Sequence, residues 1–161
     1  MKDGYAQLRG VTRSRLGLIW ELAQAGGELD EEDARLAEVL EQHPEYADVW
    51  EEAQSMGTEE VTRDGVNPFV HVAIHQTVEN QLAENDPAQT AETLEVLLRA
   101  GYDRHQAIHM IGRVVSEEIF EILKERRPFD EDAYVAALED LARTERRRGR
   151  RSRGRGGRRG Q

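Results

Sequence analysis

The sequence contains no cysteine and no long apolar run. Without cysteine there is no disulfide framework, thiolate metal site, iron–sulfur cluster or cysteine nucleophile, so any chemistry must use other side chains. The longest apolar runs, such as Leu16 to Trp20, have five residues, whereas a membrane-spanning helix needs about 20. Glu21 ends that first run too early for the hydrophobic region of a signal peptide. We therefore expect a cytoplasmic protein that does not span a membrane.

Hydrophobic residues make up 38% of the 161 residues, and charged residues make up 34%. This length suits one domain with appendages, and the apolar content allows a modest core. Charge is distributed unevenly, because residues 143–161 hold ten arginines and one acid, a net charge of +9, while the rest of the chain carries −19. The arginine segment has no apolar residue after position 142 to stabilise a fold, so we expect a disordered Arg/Gly-rich tail over 143–161.

Residues typical of helix starts and ends recur along the body of the chain. Asn67 before Pro68 and Asp86 before Pro87 are typical of an N-cap followed by proline at the first helical position. Three further acidic caps and several glycines mark the starts and ends of other segments. About seven helices are predicted, over residues 5–25, 31–42, 45–56, 68–83, 87–100, 104–124 and 131–143, and no alternating strand pattern is present.

Apolar residues recur at intervals of three and four along these helices, for example Ile108, Ile111 and Val115. The fold class is therefore all-α, a compact bundle of about six to seven helices with short connections. Residues 1–60 supply N-terminal helices and residues 61–142 a paired-histidine core, together one domain. Trp20, Trp50 and Phe120 are predicted to fill the core.

Four of the five histidines form two pairs with the same spacing, and this pattern carries the functional hypothesis. His71 and His75 lie four residues apart, as do His105 and His109, and this spacing places two imidazoles on one helix face, within reach of one metal ion. Helical periodicity turns the first pair toward the apolar face and leaves the second at its margin. Two touching helices could close a four-histidine site, with Glu79 one turn beyond His75 as a further ligand or second-shell partner. In the alternative interpretation, hydrogen bonds satisfy each ring and the spacing is accidental.

Nitrogen-rich ligation suits transition metals better than magnesium or calcium, and we expect zinc or iron. The His-Glu-x-x-His pattern of zinc proteases is missing, because Val72 and Gln106 follow the first histidine of each pair. The Glu-x-x-His pairs of di-iron bundles are missing as well. Glu117, Glu118 and Glu121 are interpreted as a solvated acidic face. In the metal-binding hypothesis, Glu118 is the alternative to Glu79 as the residue that assists the histidines.

A combination of motifs resembles a known family. His43-Pro-Glu-Tyr46, Asn67-Pro-Phe69, both histidine pairs and Arg127-Pro-Phe-Asp-Glu131 are similar to the bacterial family called domain of unknown function 1841, over roughly residues 43–141. The resemblance implies a small bacterial helical protein with the Asn-Pro-Phe segment and paired histidines as hallmarks, and it carries no activity. The family often has His-Glu-Ala-x-His at the second pair, where this chain has Gln106, which counts further against hydrolysis.

Two classes of function therefore stay open. The first is a metal-binding helical protein, structural, sensing or catalytic, that uses the histidine pairs. The second is a non-enzymatic interaction protein whose arginine segment, residues 143–161, binds RNA, the ribosome or an acidic partner, with the histidines in a structural role.

Overall fold

The computed structural model describes residues 13–56 and 61–155, with side chains placed through Arg150. This part of the chain forms seven α-helices and one 3-10 helix and contains no strand, which confirms the all-α prediction. The elements in chain order are α1 (Arg13–Gln24), α2 (Glu31–Glu41), a 3-10 helix (Pro44–Tyr46), α3 (Ala47–Glu52), α4 (Pro68–Glu84), α5 (Ala88–Arg99), α6 (Arg104–Glu125) and α7 (Glu131–Arg155).

The predicted caps account for most of the helix starts. Asn67 Oδ1 accepts the backbone N–H groups of Phe69 and Val70 at 3.0 and 3.3 Å, which fixes the first turn of α4. Asp30 and Asp130 cap α2 and α7 in the same way. The prediction for α5 was wrong in detail, because Pro87 itself is the N-cap residue and the helix begins at Ala88. The predicted start of the first helix at residue 5 lies outside the described residues.

The chain clusters into two compact units, one ending at Asn80 and the other beginning at Gln81. The division falls inside α4 rather than in a linker, so no change of composition marks it in the sequence. The sequence-based division into residues 1–60, 61–142 and 143–161 stays a prediction.

The N-terminal unit buries its apolar side chains where α1 contacts α2 and α3. Trp50 on α3 is fully buried, as predicted, and Trp20 is partly buried against the same cluster. Gly17 lets α1 approach the end of α3, since a Cβ atom at this position would lie 2.8 Å from Gln54 Cγ. The fully or almost fully buried members of this core are Leu16, Ile19, Leu36, Val39, Leu40, Val49, Trp50 and Val72.

A tight turn at residues 63–66 precedes α4. Arg63 and Val66 exchange two backbone hydrogen bonds of 2.8 and 2.9 Å. The two central residues, Asp64 and Gly65, have φ values of 51° and 80°, as a two-residue turn with both φ positive requires. The Arg63 guanidinium binds Asp48 on α3 at 2.8 Å, so the turn is tied to the N-terminal unit immediately before α4.

In the C-terminal unit, α5, α6 and α7 contact one another. A buried polar network lies among the apolar side chains of this unit, because Gln81 Oε1 accepts hydrogen bonds from Tyr134 at 2.8 Å and from Thr90 at 2.9 Å. Burial raises the pKa of Tyr134 to about 12. The phenol is therefore neutral and donates to Gln81 across the physiological pH range.

Phe120 and the arginine segment depart from the sequence predictions. The prediction that Phe120 fills the core was wrong: its side chain is 61% exposed because it lies off the stripe of Ile108, Ile111 and Val115 that α6 buries. The last helix also extends further than predicted, because α7 runs to Arg155 instead of ending near residue 143. Arginine is a good helix former, and Glu145 anchors this part of the helix by accepting a hydrogen bond from the Tyr102 hydroxyl. Residues 156–161 of the predicted tail lie outside the described residues.

Candidate functional site

Three imidazole rings meet in the N-terminal unit. His71 and His75 lie one turn apart on α4, and His43 follows the C-terminal end of α2. Their ring centroids are 4.6 to 4.7 Å apart in all three pairs. His43 is fully buried and His75 is 2% exposed, whereas His71 is half-buried, so the prediction that the first pair faces inward is confirmed for His75. We call His43, His71 and His75 the histidine cluster.

The contacts of His43 determine which of its nitrogens carries the proton. Nδ1 lies 2.7 Å from the backbone oxygen of Val39, and because a carbonyl can only accept, Nδ1 must be the protonated nitrogen. Nε2 of a neutral His43 is then an unprotonated acceptor, and it lies 2.9 Å from Nε2 of His71. A backbone carbonyl holding the distal N–H of an imidazole is the usual arrangement behind a metal-ligating histidine.

The Nε2 separation fits two chemical situations. In a hydrogen-bonded pair, the His71 Nε2–H donates to His43 Nε2. In a metal site, two nitrogens each about 2.05 Å from one ion are about 2.9 Å apart at a right angle and about 3.3 Å apart at a tetrahedral angle. His43 and His75 each present a nitrogen, and these two atoms lie within 4.8 Å of each other. The nitrogen of His43 thus lies close to a nitrogen of His71 and to a nitrogen of His75, as ligands of one ion would.

Aromatic side chains line the cluster on one side. The Tyr46 ring lies parallel to the His43 ring, with centroids 6.1 Å apart, and meets the His71 ring edge-on at 6.0 Å. Burial, with smaller contributions from Glu45 and Asp64, raises the pKa of Tyr46. Tyr46 is therefore a neutral wall of the cluster at physiological pH. Trp50 packs edge-on against Tyr46 at 5.7 Å and extends this wall.

The second pair lies in the C-terminal unit, on α6. Nε2 of His109 is 2.9 Å from Nε2 of His105, and the ring centroids are 4.5 Å apart. His105 is half-buried and His109 is exposed, in agreement with the predicted position at the margin of the apolar face. The one-turn spacing therefore aims two imidazole nitrogens at the same point, as in the first pair.

The profile of the family described as Domain of unknown function (DUF1841) matches residues 9–140. The chain belongs to this family. The match begins 34 residues before His43, where the sequence resemblance was expected to start, so α1 and α2 are part of the DUF1841 domain. No curated protein and no solved structure matches the chain.

Gln106, where the sequence resemblance implies glutamate, has a structural role in this chain. Gln106 is the third residue of α6, and its side chain accepts the Asp103 backbone N–H at 3.1 Å. The Asp103 side chain accepts the Gln106 N–H in return at 2.8 Å, which completes a capping box. Glutamate and glutamine both serve at this position, so a glutamate here is explained by helix capping without a role as a general base.

Two acidic candidates have different surroundings. Glu79 lies one turn beyond His75 on α4 and is half-buried, so its role as a ligand stays a prediction. Glu118 binds both terminal nitrogens of Arg127, at 2.8 and 2.9 Å, and its side chain is 11% exposed. This bidentate ion pair raises the pKa of Arg127 and joins the end of α6 to the start of α7. The interpretation of Glu118 as part of a solvated acidic face was therefore wrong.

Sequence reasoning missed His43 as a member of the site. It stands alone in the sequence, 28 residues before His71, and shares no helix with another histidine. The available signal was its place in the family motif His43-Pro-Glu-Tyr46, where a proline after the histidine ends a helix.

Among the described residues, no helix has the length and apolar character needed to cross a membrane.

Proposed function

We propose that this DUF1841 protein binds a transition metal ion and that the histidine cluster supplies the core of its ligands. The observation that carries the proposal is the anchoring of His43, whose Nδ1–H donates to Val39 while Nε2 points toward His71 Nε2 at 2.9 Å. A buried imidazole needs a partner for each nitrogen. A metal ion would provide that partner to several of these rings at once.

The chemistry of the donors indicates the class of ion. Neutral imidazole nitrogens favour zinc, copper, nickel and non-haem iron, and of these we propose zinc or iron. Three histidines leave a fourth position of a tetrahedral ion for water or another ligand, whereas four histidines would close the site. The open arrangement is the one that catalysis requires, whereas the closed arrangement is structural.

Glu79, His105 and His109 complete the ligand set expected from the sequence. Their participation with His71 and His75 in binding one ion stays a prediction. The metal stoichiometry tests it, because one shared ion and two separate ions give different equivalents per chain.

The test is metal binding by the untagged full chain. We would measure bound metal by elemental mass spectrometry after purification, and then zinc and ferrous iron binding to the metal-free protein by calorimetry. The central variant is His43→Gln with His71→Gln, and a second variant is His105→Gln with His109→Gln. Thr77→Val is the control, because Thr77 is a buried polar residue of α4 that donates to the Ala73 carbonyl at 2.9 Å.

We expect about one equivalent of metal in the wild type and in Thr77→Val, and loss of binding in the His43/His71 variant. Loss in the His105/His109 variant as well would support a single shared ion, and two equivalents would support two sites. Failure of the wild type to bind either metal would overturn the proposal. So would unchanged binding in the His43/His71 variant, since the histidines would then affect stability alone. If that variant does not fold by circular dichroism, the single His71→Gln variant, at a half-buried position, carries the same test.

A further inference from the structure

An open pocket of about 240 Å³ lies in the C-terminal unit between the end of α5 and the second half of α7. Arginines dominate the side chains around it, and one carboxylate is present. Its lining consists of Val96, Arg99, Ala100, Glu145, Arg146, Gly149 and Arg150. The pocket is far in sequence from the histidine cluster and belongs to a different function from the one proposed above.

The one carboxylate of the pocket is already engaged. Glu145 is the single acid among residues 143–161 and is only 4% exposed. It accepts hydrogen bonds from the Tyr102 hydroxyl and the Arg148 guanidinium, both at 3.1 Å. The hydrogen bond with Glu145 also raises the pKa of Tyr102. The negative charge is thus turned inward, and the solvent-facing charge on this stretch of α7 is positive.

Two arginines of the pocket, Arg146 and Arg150, form no ion pair with another residue that the structure describes. They lie four residues apart on one face of α7, and Arg99 faces the same pocket from α5, bound to Glu95. Three guanidinium groups around one small cavity repel one another, and an anion with several acceptor oxygens would relieve that repulsion.

We propose that this pocket binds a phosphate group of a nucleic-acid backbone. A polymer fits better than a small phosphate compound, because the pocket is open and α7 continues beyond it with Arg151, Arg153 and Arg155. From Arg143 to Arg155 the helix extends about 18 Å, a distance over which a duplex presents many phosphates. The segment 143–161 has no aromatic residue for base stacking. We therefore expect recognition of the backbone, without sequence preference and with strong salt dependence.

Two variants with equal net charge distinguish binding by the pocket from general attraction to the positive charge of α7. Arg146→Gln with Arg150→Gln removes the two unpaired guanidinium groups of the pocket. Arg143→Gln with Arg147→Gln removes the same charge from exposed positions of the same helix that do not line the pocket. Binding of the full chain to a short fluorescein-labelled RNA duplex, and to a single strand of the same length, is measured by anisotropy over a series of salt concentrations.

We expect the pocket variant to bind at least about tenfold more weakly, with the slope of log K against log salt reduced by about two. The control variant should lose less than about threefold. Equal losses in the two variants would overturn the proposal, as would absence of binding by the wild type. Tighter binding to vesicles of anionic lipid than to either RNA would also overturn it, because the partner would then be a membrane surface. Both variants are checked by thermal unfolding, and if the pocket variant is unfolded, Arg99→Gln at an exposed position replaces it.

Discussion

The backbone oxygen of Val39 accepts the Nδ1–H of His43 at 2.7 Å. Val39 belongs to the last turn of α2, where carbonyl groups have no partner within the helix. The end of the helix therefore supplies the acceptor that orients the imidazole. The position of the histidine directly after α2 is what makes this geometry available.

The first prediction concerns the tautomer of His43. In the neutral, metal-free protein the proton resides on Nδ1, and addition of zinc changes the nitrogen chemical shift of Nε2 far more than that of Nδ1. Long-range proton–nitrogen NMR spectra of the histidine side chains measure both shifts. A neutral His43 protonated on Nε2, or a larger zinc-induced change at Nδ1 than at Nε2, would contradict the assignment.

The second prediction concerns pH. Metal binding requires unprotonated imidazole nitrogens, so protons compete with the metal and the apparent affinity falls as the solution is acidified. Binding in acid solution must then release protons. Calorimetry in two buffers with different ionisation enthalpies counts the released protons, and an affinity that stays constant down to the pH at which the protein unfolds would exclude histidine ligation.

The third prediction concerns Gln106. Replacement by glutamate keeps the capping box, so Gln106→Glu should change the free energy of unfolding by less than about 0.5 kcal/mol. Asp103→Ala removes the other half and should cost about 1 kcal/mol. Urea unfolding measures both. If Gln106→Glu introduced hydrolytic activity or altered the metal content, the position would be part of the site and not only a cap.

The fourth prediction concerns Tyr134 in alkaline solution. Burial raises the pKa of its phenol to about 12, above the ordinary value of about 10, so the folded state favours the protonated form. The resulting stabilisation is complete below about pH 10 and is lost as the pH rises toward 12. Unfolding free energies measured across this range should fall more steeply for the wild type than for Tyr134→Phe, which loses about 1 kcal/mol at neutral pH with its hydrogen bond. Parallel profiles would show that Tyr134 does not contribute.

The fifth prediction contrasts two aromatic residues that were both expected in the core. Phe120 is 61% exposed and Trp50 is fully buried. Phe120→Ser should therefore change the stability by less than about 0.5 kcal/mol, whereas Trp50→Ala should cost about 3 to 5 kcal/mol. Thermal or urea unfolding compares them, and a loss above about 2 kcal/mol for Phe120→Ser would show that this residue is buried in solution.

Local signals predicted most of the fold. Asn67, Asp30 and Asp103 mark helix starts in the sequence because a cap depends on neighbouring residues alone. The position of Phe120 could not be deduced in this way, since burial depends on which face of α6 meets other helices. The helical course of residues 143–155 was missed for a similar reason. Its anchor, the hydrogen bond from Tyr102 to Glu145, joins residues 43 positions apart.

The candidate site was predicted in part. The spacing of His71 and His75 identified a pair on one helix face, because that relationship is local. His43 reaches the same pair from the connection that follows α2, and only the packing of the N-terminal unit reveals it. Glu118 was interpreted as solvated because its partner, Arg127, lies beyond the end of its helix.

The rings of His71, Tyr46 and Trp50 lie in a row, which places a fluorescent side chain near the histidine cluster. Tyr46 touches both the His71 ring and the indole of Trp50, so the electronic state of the imidazoles lies one ring away from a fluorophore. We therefore expect protonation or ligation of the histidines to alter the emission of Trp50, which is shielded from solvent. Such a change would allow metal binding at the cluster to be followed in unlabelled protein, at concentrations too low for NMR or calorimetry.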